Sequence, residues 1–283
     1  MMRYMRRSRA SLVPVVAALS AALITAGCNN SGSRSAASQP SVSPGLLDGT
    51  VLLAAEQPLS SVNQQQVLSV LKARLAALHI DAAVTMSGDR AIRLQVPAST
   101  VSVVRELGAQ GTFEVRPVET IGPKGQAAAP APGAVPAPVA QSAGKCAVTA
   151  PGDAQGWTVA CDGAQTQSYQ LWPAQLTNAD VASASEVQST SGQSVGQWLV
   201  NVSFTAGGKK QFYLVTQRSQ GMQLALVVDG VVESAPVITG AINGDAQITA
   251  TMNESQARLL ATLIGNGALP VALRPQSADS PGG

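Results

Sequence analysis

The sequence predicts an α+β protein of two ferredoxin-like, split βαβ-type subdomains joined by a Pro/Ala-rich linker. Three observations predict it. Residues 48–120 switch between short strands of period two and stretches with apolar residues three and four apart, in the order βαββαβ. Residues 167–275 roughly repeat that order without a residue-level repeat. Between them, residues 121–145 carry Pro123, Pro130, Pro132, Pro136 and Pro138 among alanines, the composition of an extended, semi-stiff spacer. The bulk composition agrees. Apolar residues make up 45% of the 283, but aromatics only 3% and charged residues 12%, against about 25% charged in an average soluble protein. Such a core is built from Val, Leu, Ile and Ala, which suits small layers of helix on sheet and leaves no aromatic platform for bases or sugars.

The first 27 residues read as a signal peptide. Arg3, Arg6, Arg7 and Arg9 precede an apolar run over residues 12–24, too short for comfortable membrane spanning, and Thr25-Ala26-Gly27 follows. Cys28 directly after Ala-Gly resembles the lipobox of bacterial lipoproteins, which implies lipidation (diacylglycerol, palmitate) of Cys28 as the new N-terminus. An ordinary secretory signal with an incidental cysteine is the alternative. Residues 28–47 are rich in Ser, Ala and Gly and read as a flexible tether. The formal net charge is +2, and removing the four leader arginines leaves −2. No basic stripe remains, so nucleic acid is excluded as a partner.

The first subdomain follows in order. Residues 50–55 (TVLLAA) are an apolar strand, and Ser61-Val-Asn-Gln64 offers a capping box. Leu68, Leu71, Leu75 and Leu78 then fall on one helix face. Residues 82–86 and 91–96 are strands about the turn Ser87-Gly88-Asp89, and Pro97 ends the second. Residues 99–107 are a second helix, with Val101 and Val104 inward, and residues 112–117 (TFEVRP) are the last strand.

Residues 146–166 form a Gly- and polar-rich loop holding Cys146 and Cys161. Outside the cytoplasm these two would persist as a disulfide closing the loop. Free thiols are the alternative, and a metal site needs more ligands than two cysteines.

In the second subdomain, residues 198–204 alternate as a strand, and residues 207–218 form a helix with Phe212 and Val215 inward. Residues 224–228 (LALVV) are aliphatic on both faces, as in a central strand. Asp229-Gly230 supplies the positive φ of a tight hairpin, Val231-Val232 pairs back, and Pro236 blunts the ladder. Residues 246–249 are another strand, Thr251-Met-Asn-Glu254 is a capping box, and Ala257, Leu260, Ala261 and Ile264 form a buried helix face. Residues 269–273 close the set, and residues 276–283 are a small, polar, flexible tail.

Catalysis finds no footing. His79, the one histidine, falls at a helix end, so no Ser-His-Asp set assembles. Asp229, Glu233 and Asp245 read as turn and surface carboxylates. Gly265-Asn266-Gly267 lacks the Lys-Ser/Thr of a phosphate loop, and no acidic run has calcium-loop spacing. The expectation is a non-enzyme with no cofactor and no metal site, acting through its surfaces.

The second subdomain carries a resemblance. "FTAGGKKQFYLVTQ" and "LALVVDGVVESAPVITGAINGDAQITATMNESQARLLATLIGNGALPVAL" resemble the head of the first periplasmic domain of SecD, the accessory subunit of the bacterial Sec translocon. The pattern falls on Asp229, Gly230, Val232, Ser234, Ala235 and Pro236, on Ile248-Thr249 with the helix after them, and on Gly267, Ala268, Leu269 and Pro270. "QQQVLSVLKARLAALHIDAAVTMSGDRAIRLQVP" is similar to the base of the same domain, and "LTNADVASASEV" to the entry to the head. The resemblance implies a head that contacts a translocating polypeptide and moves on its base. Val231, Val232, Glu233, Ser234, Ala235, Pro236 and Val237 are then the candidate polypeptide-binding residues, with plain scaffolding of the head as the alternative. SecD also carries transmembrane helices for proton-driven pulling. No apolar run of that length follows Ile24 here, so no such coupling is expected.

The expected protein is therefore a non-enzymatic lipoprotein on the extracytoplasmic side of the cell membrane. It binds exported or unfolded polypeptide and assists export, with the membrane, translocating chains and Sec translocon components as partners. An envelope structural or adaptor lipoprotein with one fixed folded partner, or a small-molecule-binding lipoprotein, remains open.

Overall fold

The computed structural model describes residues 47–123, 154–190 and 195–276. The expected signal peptide, Cys28, nearly all of the tether, linker residues 124–145, Cys146 and the tail after Gln276 lie outside the described residues.

In chain order the elements are β1 (Gly49–Ala54), α1 (Ser61–Ala77), β2 (Ala83–Ser87), β3 (Ala91–Val96), α2 (Val101–Glu106), β4 (Phe113–Pro123), β5 (Thr158–Asp162), β6 (Gln167–Leu171), β7 (Leu176–Thr177), β8 (Val181–Gln188), β9 (Trp198–Phe204), α3 (Ala206–Arg218), β10 (Leu224–Val228), β11 (Val231–Ser234), β12 (Ala246–Ile248), α4 (Glu254–Gly265) and β13 (Arg274–Gln276).

Alternation along β1 and β3 turns Val51, Leu53, Ile92, Leu94 and Val96 to one face, where they meet Val67, Leu71 and Leu75 of α1 and Val104 of α2. This is the core of the first lobe. The cap of α1 is one residue earlier than the expected box: Ser60 Oγ accepts the Asn63 N–H, and Gln64 donates to the Leu59 carbonyl. Past the helix, His79 takes φ +55°, a left-handed stop that polar residues tolerate.

The expected last strand of this lobe goes elsewhere. β4 does not join β1–β3; the place beside β1 is taken by β13, giving the order β13-β1-β3-β2. Phe113 and Val115 of β4 are buried with Val200, Phe204 and Phe212 in the core of the second lobe, which draws the strand away. The returning residues Leu269 and Leu273 are buried in the first-lobe core instead. Residues 269–273 are therefore not the closing strand; the strand comes just after them.

β4 pairs with β10 over its first half and with β6 over its second, and β7 lies on its other side. Together β10-β11-β5-β6-β4 return on themselves through the β4–β10 pairing, with β11–β5 parallel and the other pairs antiparallel. Val118, Ala160, Tyr169, Leu171, Ala225, Val227 and Val232 fill this ring. The third sheet, β12-β9-β8, packs under α4. Leu224, Leu226 and Val228 face that layer while Ala225 and Val227 face the ring, so β10 is buried on both sides as its aliphatic run implies.

Two sheets thus cross the boundary expected between residues 48–120 and 167–275. Residues 121–123 of the expected linker end β4, residue 276 of the expected tail ends β13, and three further local expectations change. Residues 158–162 of the expected cysteine loop are β5, and Asp162 shapes the turn to β6 by accepting the Thr166 and Gln167 N–H groups. Residues 181–188, read only as an entry segment, are the full edge strand β8. The cap of α4 is Asn253 with Gln256 in reciprocal bonds, not Thr251 with Glu254.

Candidate functional site

The hairpin between β10 and β11 turns on Asp229 and Gly230, both left-handed at φ +46° and +79°, the form that matches strand twist. Asp229 does more than turn the chain. Its carboxylate accepts the Gly111 N–H at 2.9 Å, the Thr112 N–H at 2.7 Å and the Thr112 hydroxyl at 2.9 Å, while its own N–H donates to the Thr112 carbonyl. The hairpin is thereby fixed to the segment that leaves the first lobe.

Along β11, Val231 and Val232 pair in parallel with Cys161 and Asp162. Val232 is 3% exposed and fills the ring. On the other side, Leu226 faces Ser234 and Val227 faces Val232, so Glu233 is the extra residue of a bulge. Burial pushes the Glu233 carboxyl above the ordinary range, and the Asp229 charge adds to it. Beyond Ser234 the chain still runs beside β10: Leu224 N–H donates to the Pro236 carbonyl, Gln223 bridges to Val237, and Ile238 N–H donates to the Met222 carbonyl.

An open cavity of about 460 Å³ lies under this segment. Phe212, Leu224, Leu226, Pro236, Ile238 and Ile242 give it apolar walls, and Asn201, Asp245 and Gln247 are the polar lining residues. Ile242 is held against α3 by its N–H bond to Thr216 Oγ1 at 2.9 Å. Val237, Met222 and Ile242 are exposed apolar residues of the same region, Val237 at 56%. Burial works against ionisation of Asp245, but bonds from the Ser203 hydroxyl, Lys209 and the Phe204 N–H outweigh it and hold the carboxyl below its usual value.

The seven candidate residues 231–237 therefore divide. Val232 is interior, Val231, Glu233, Ser234 and Ala235 are half-buried, Pro236 lines the cavity, and Val237 is exposed. Ile238 and Ile242, which sequence reasoning passed over, line the cavity with Pro236; their signal was two aliphatics in an otherwise polar, Gly-rich stretch. Cys161 is buried on β5 beside Val231, while Cys28 and Cys146 lie outside the described residues. Among the described residues, no group of His, Cys, Asp and Glu could hold a metal ion, and no helix is long and apolar enough to cross a membrane.

Comparison with known proteins points one way. Residues 159–271 match the family model described as the SecDF P1 head subdomain. The chain is 41% identical over 108 residues to protein translocase subunit SecD of Endomicrobium trichonymphae, which covers 38% of this chain and 22% of that protein. It is 32% identical over 132 residues to SecD of Streptomyces coelicolor, covering 44% of this chain and 23% of the relative. The chain thus spans about a fifth of the length of these relatives. Among solved structures, it resembles SecDF in its super-membrane-facing form, with TM-score 0.57 and 23% identity over 81% of this chain and 29% of the other. It also resembles a chain from the structure of a membrane component, SecDF, that enhances protein export, with TM-score 0.54 and 23% identity over 82% of this chain and 99% of that one. At that identity the structural likeness establishes the mixed α+β fold.

Proposed function

We propose that the protein is a non-enzymatic, extracytoplasmic binder of exported or unfolded polypeptide that assists protein export at the membrane, working beside Sec translocon components. The observation that carries this reading is the open apolar cavity under residues 236–242, bordered by exposed Val237, within the segment that matches the SecDF head. An apolar hollow with a few polar lining groups accepts an aliphatic side chain of an extended chain without demanding one sequence. Anchoring through lipid on Cys28 and closure of the Cys146–Cys161 loop by a disulfide belong to the same reading, as does a ferredoxin-like base made from the first lobe. The cavity volume also favours a second reading, a small-molecule-binding lipoprotein, because it falls in the size range of ligand pockets.

The test is photocrosslinking from Val237 and Ile242 in living cells. Expected products are a spread of exported chains caught in transit. Capture of one folded protein alone, or of a small molecule or lipid alone, would overturn the reading. Replacing Cys28 by Ser should release the protein from the membrane fraction if lipid holds it there.

A further inference from the structure

Two stretches of chain cross between the lobes, and they cross side by side. Residues 107–112 lead from α2 into β4, and residues 266–273 lead from α4 back to β13. Leu269 N–H donates to the Gln110 carbonyl at 2.7 Å and Leu273 N–H to the Gly108 carbonyl at 2.8 Å. A Cβ on Gly108 would stand 2.3 Å from the Leu273 carbonyl oxygen, so the two backbones touch with no side chain between them.

Arg74, in the last turn of α1, is fully buried at this crossing. Its Nη1 donates to the Leu107 carbonyl at 2.8 Å and to the Ala109 carbonyl at 2.6 Å. Its Nη2 donates to Gln110 at 2.8 Å and to Gly267 at 2.9 Å. One side chain of the first lobe therefore ties the outgoing and the returning chain together. Asp229 of the second lobe takes the N–H groups of Gly111 and Thr112, the next two residues of the same segment. Burial lowers the Arg74 pKa to about 10, with the Asp229 charge opposing the fall, so the guanidinium stays charged at neutral pH. Filling space alone does not call for a charge here. A leucine or methionine fills a helix-face position without the desolvation cost of a buried guanidinium, and that cost is offset only where its N–H groups are used.

We propose that Arg74 is a latch between the lobes. It holds the two crossings as one unit, and rotation of the second lobe on the first requires its withdrawal from the carbonyls of Gln110 and Gly267. The inference does not depend on what the second lobe binds.

The experiment is a distance measurement on the full chain, with spin-labelled unnatural residues at exposed Ser69 on α1 and Gln217 on α3. The native protein should give one narrow distance distribution. Arg74→Met should give a broadened or two-peaked one with its circular dichroism unchanged, and Arg74→Lys should lie between. A distribution for Arg74→Met as narrow as the native one overturns the latch. Hydrogen exchange of the native protein decides the matter where Arg74→Met does not fold. The amides of Leu269 and Leu273 should exchange within roughly tenfold of those of Ile92 and Leu94 in the first-lobe core. Exchange far faster than that means the crossing opens with Arg74 in place, and the proposal fails.

Discussion

Asp229 Oδ1 accepts both the backbone N–H and the hydroxyl of Thr112, across 117 positions of sequence. The Asp-Gly turn is thus a tertiary clamp as well as a hairpin. Bonds to a charged acceptor are each worth about 1.5–3 kcal/mol. Asp229→Ala should lower the unfolding free energy by on the order of 3 kcal/mol, read by urea titration followed through Trp fluorescence. Asp229→Asn keeps the left-handed turn and one acceptor, so it should lose about half as much. Equal losses would mean that turn conformation, not the carboxylate, holds the crossing.

Glu233 sets a pH dependence whose sign is fixed. Its folded-state pKa is raised, so the folded protein holds this proton at pH values where the unfolded chain has released it. Its contribution to stability is therefore lost as pH rises from the unfolded value through the folded one. Glu233→Gln should melt higher than the native protein at neutral pH, and the gap should close below the ordinary carboxylate range. Thermal scans across that interval check it; a gap that widens on acidification contradicts the assignment.

Phe212 walls the cavity and packs its ring, tilted by 40°, with its centroid 4.9 Å from that of Phe204. Phe212→Ala should cost about 3–5 kcal/mol by chemical denaturation. Val237→Asp, at an exposed site, should leave stability within about 0.5 kcal/mol yet reduce retention of unfolded clients on the immobilised protein. Undiminished retention by a folded Val237→Asp variant would move the binding surface away from this segment.

Gly108→Ala places a methyl group against the Leu273 backbone, where no flexible side chain can yield. The expected loss is on the order of 2 kcal/mol, as for other overpacked sites. Faster amide exchange in β1 and β13 should accompany it, because Leu273 immediately precedes β13.

Elements whose own side chains decide their state were legible in the sequence. Residues 91–96, 198–204 and 224–228 alternate or run aliphatic, and they are β3, β9 and β10 with those bounds. What escaped depends on distant partners. β4 reads as a strand, but only the shared core of Phe113 and Phe204 decides which sheet receives it. β13 is Arg-Pro-Gln, exposed throughout, with nothing in its composition to mark a strand. The middle of β8, residues 182–185, is Ala-Ser-Ala-Ser with weak strand preference, and β5 sits in a polar stretch. Likewise, Pro236 stood out from the sequence, whereas Ile238 and Ile242 acquire meaning only when α3 and β10 come up behind them. Arg74 reads as the polar side of a helix until the carbonyls of two remote segments are seen around its guanidinium.

Pairing Leu52 with Gln276 sets translation order against folding order. A ribosome makes α1, α2 and three of the four strands of that sheet by residue 106, and the fourth strand only after α4. Contacts of such sequence separation form slowly, so the nascent polypeptide carries β1 with an open hydrogen-bonding edge until residues 274–276 have emerged. A bare edge is a template for other strands. A product cut short before Arg274 keeps that edge permanently, and two such fragments can pair edge to edge through it.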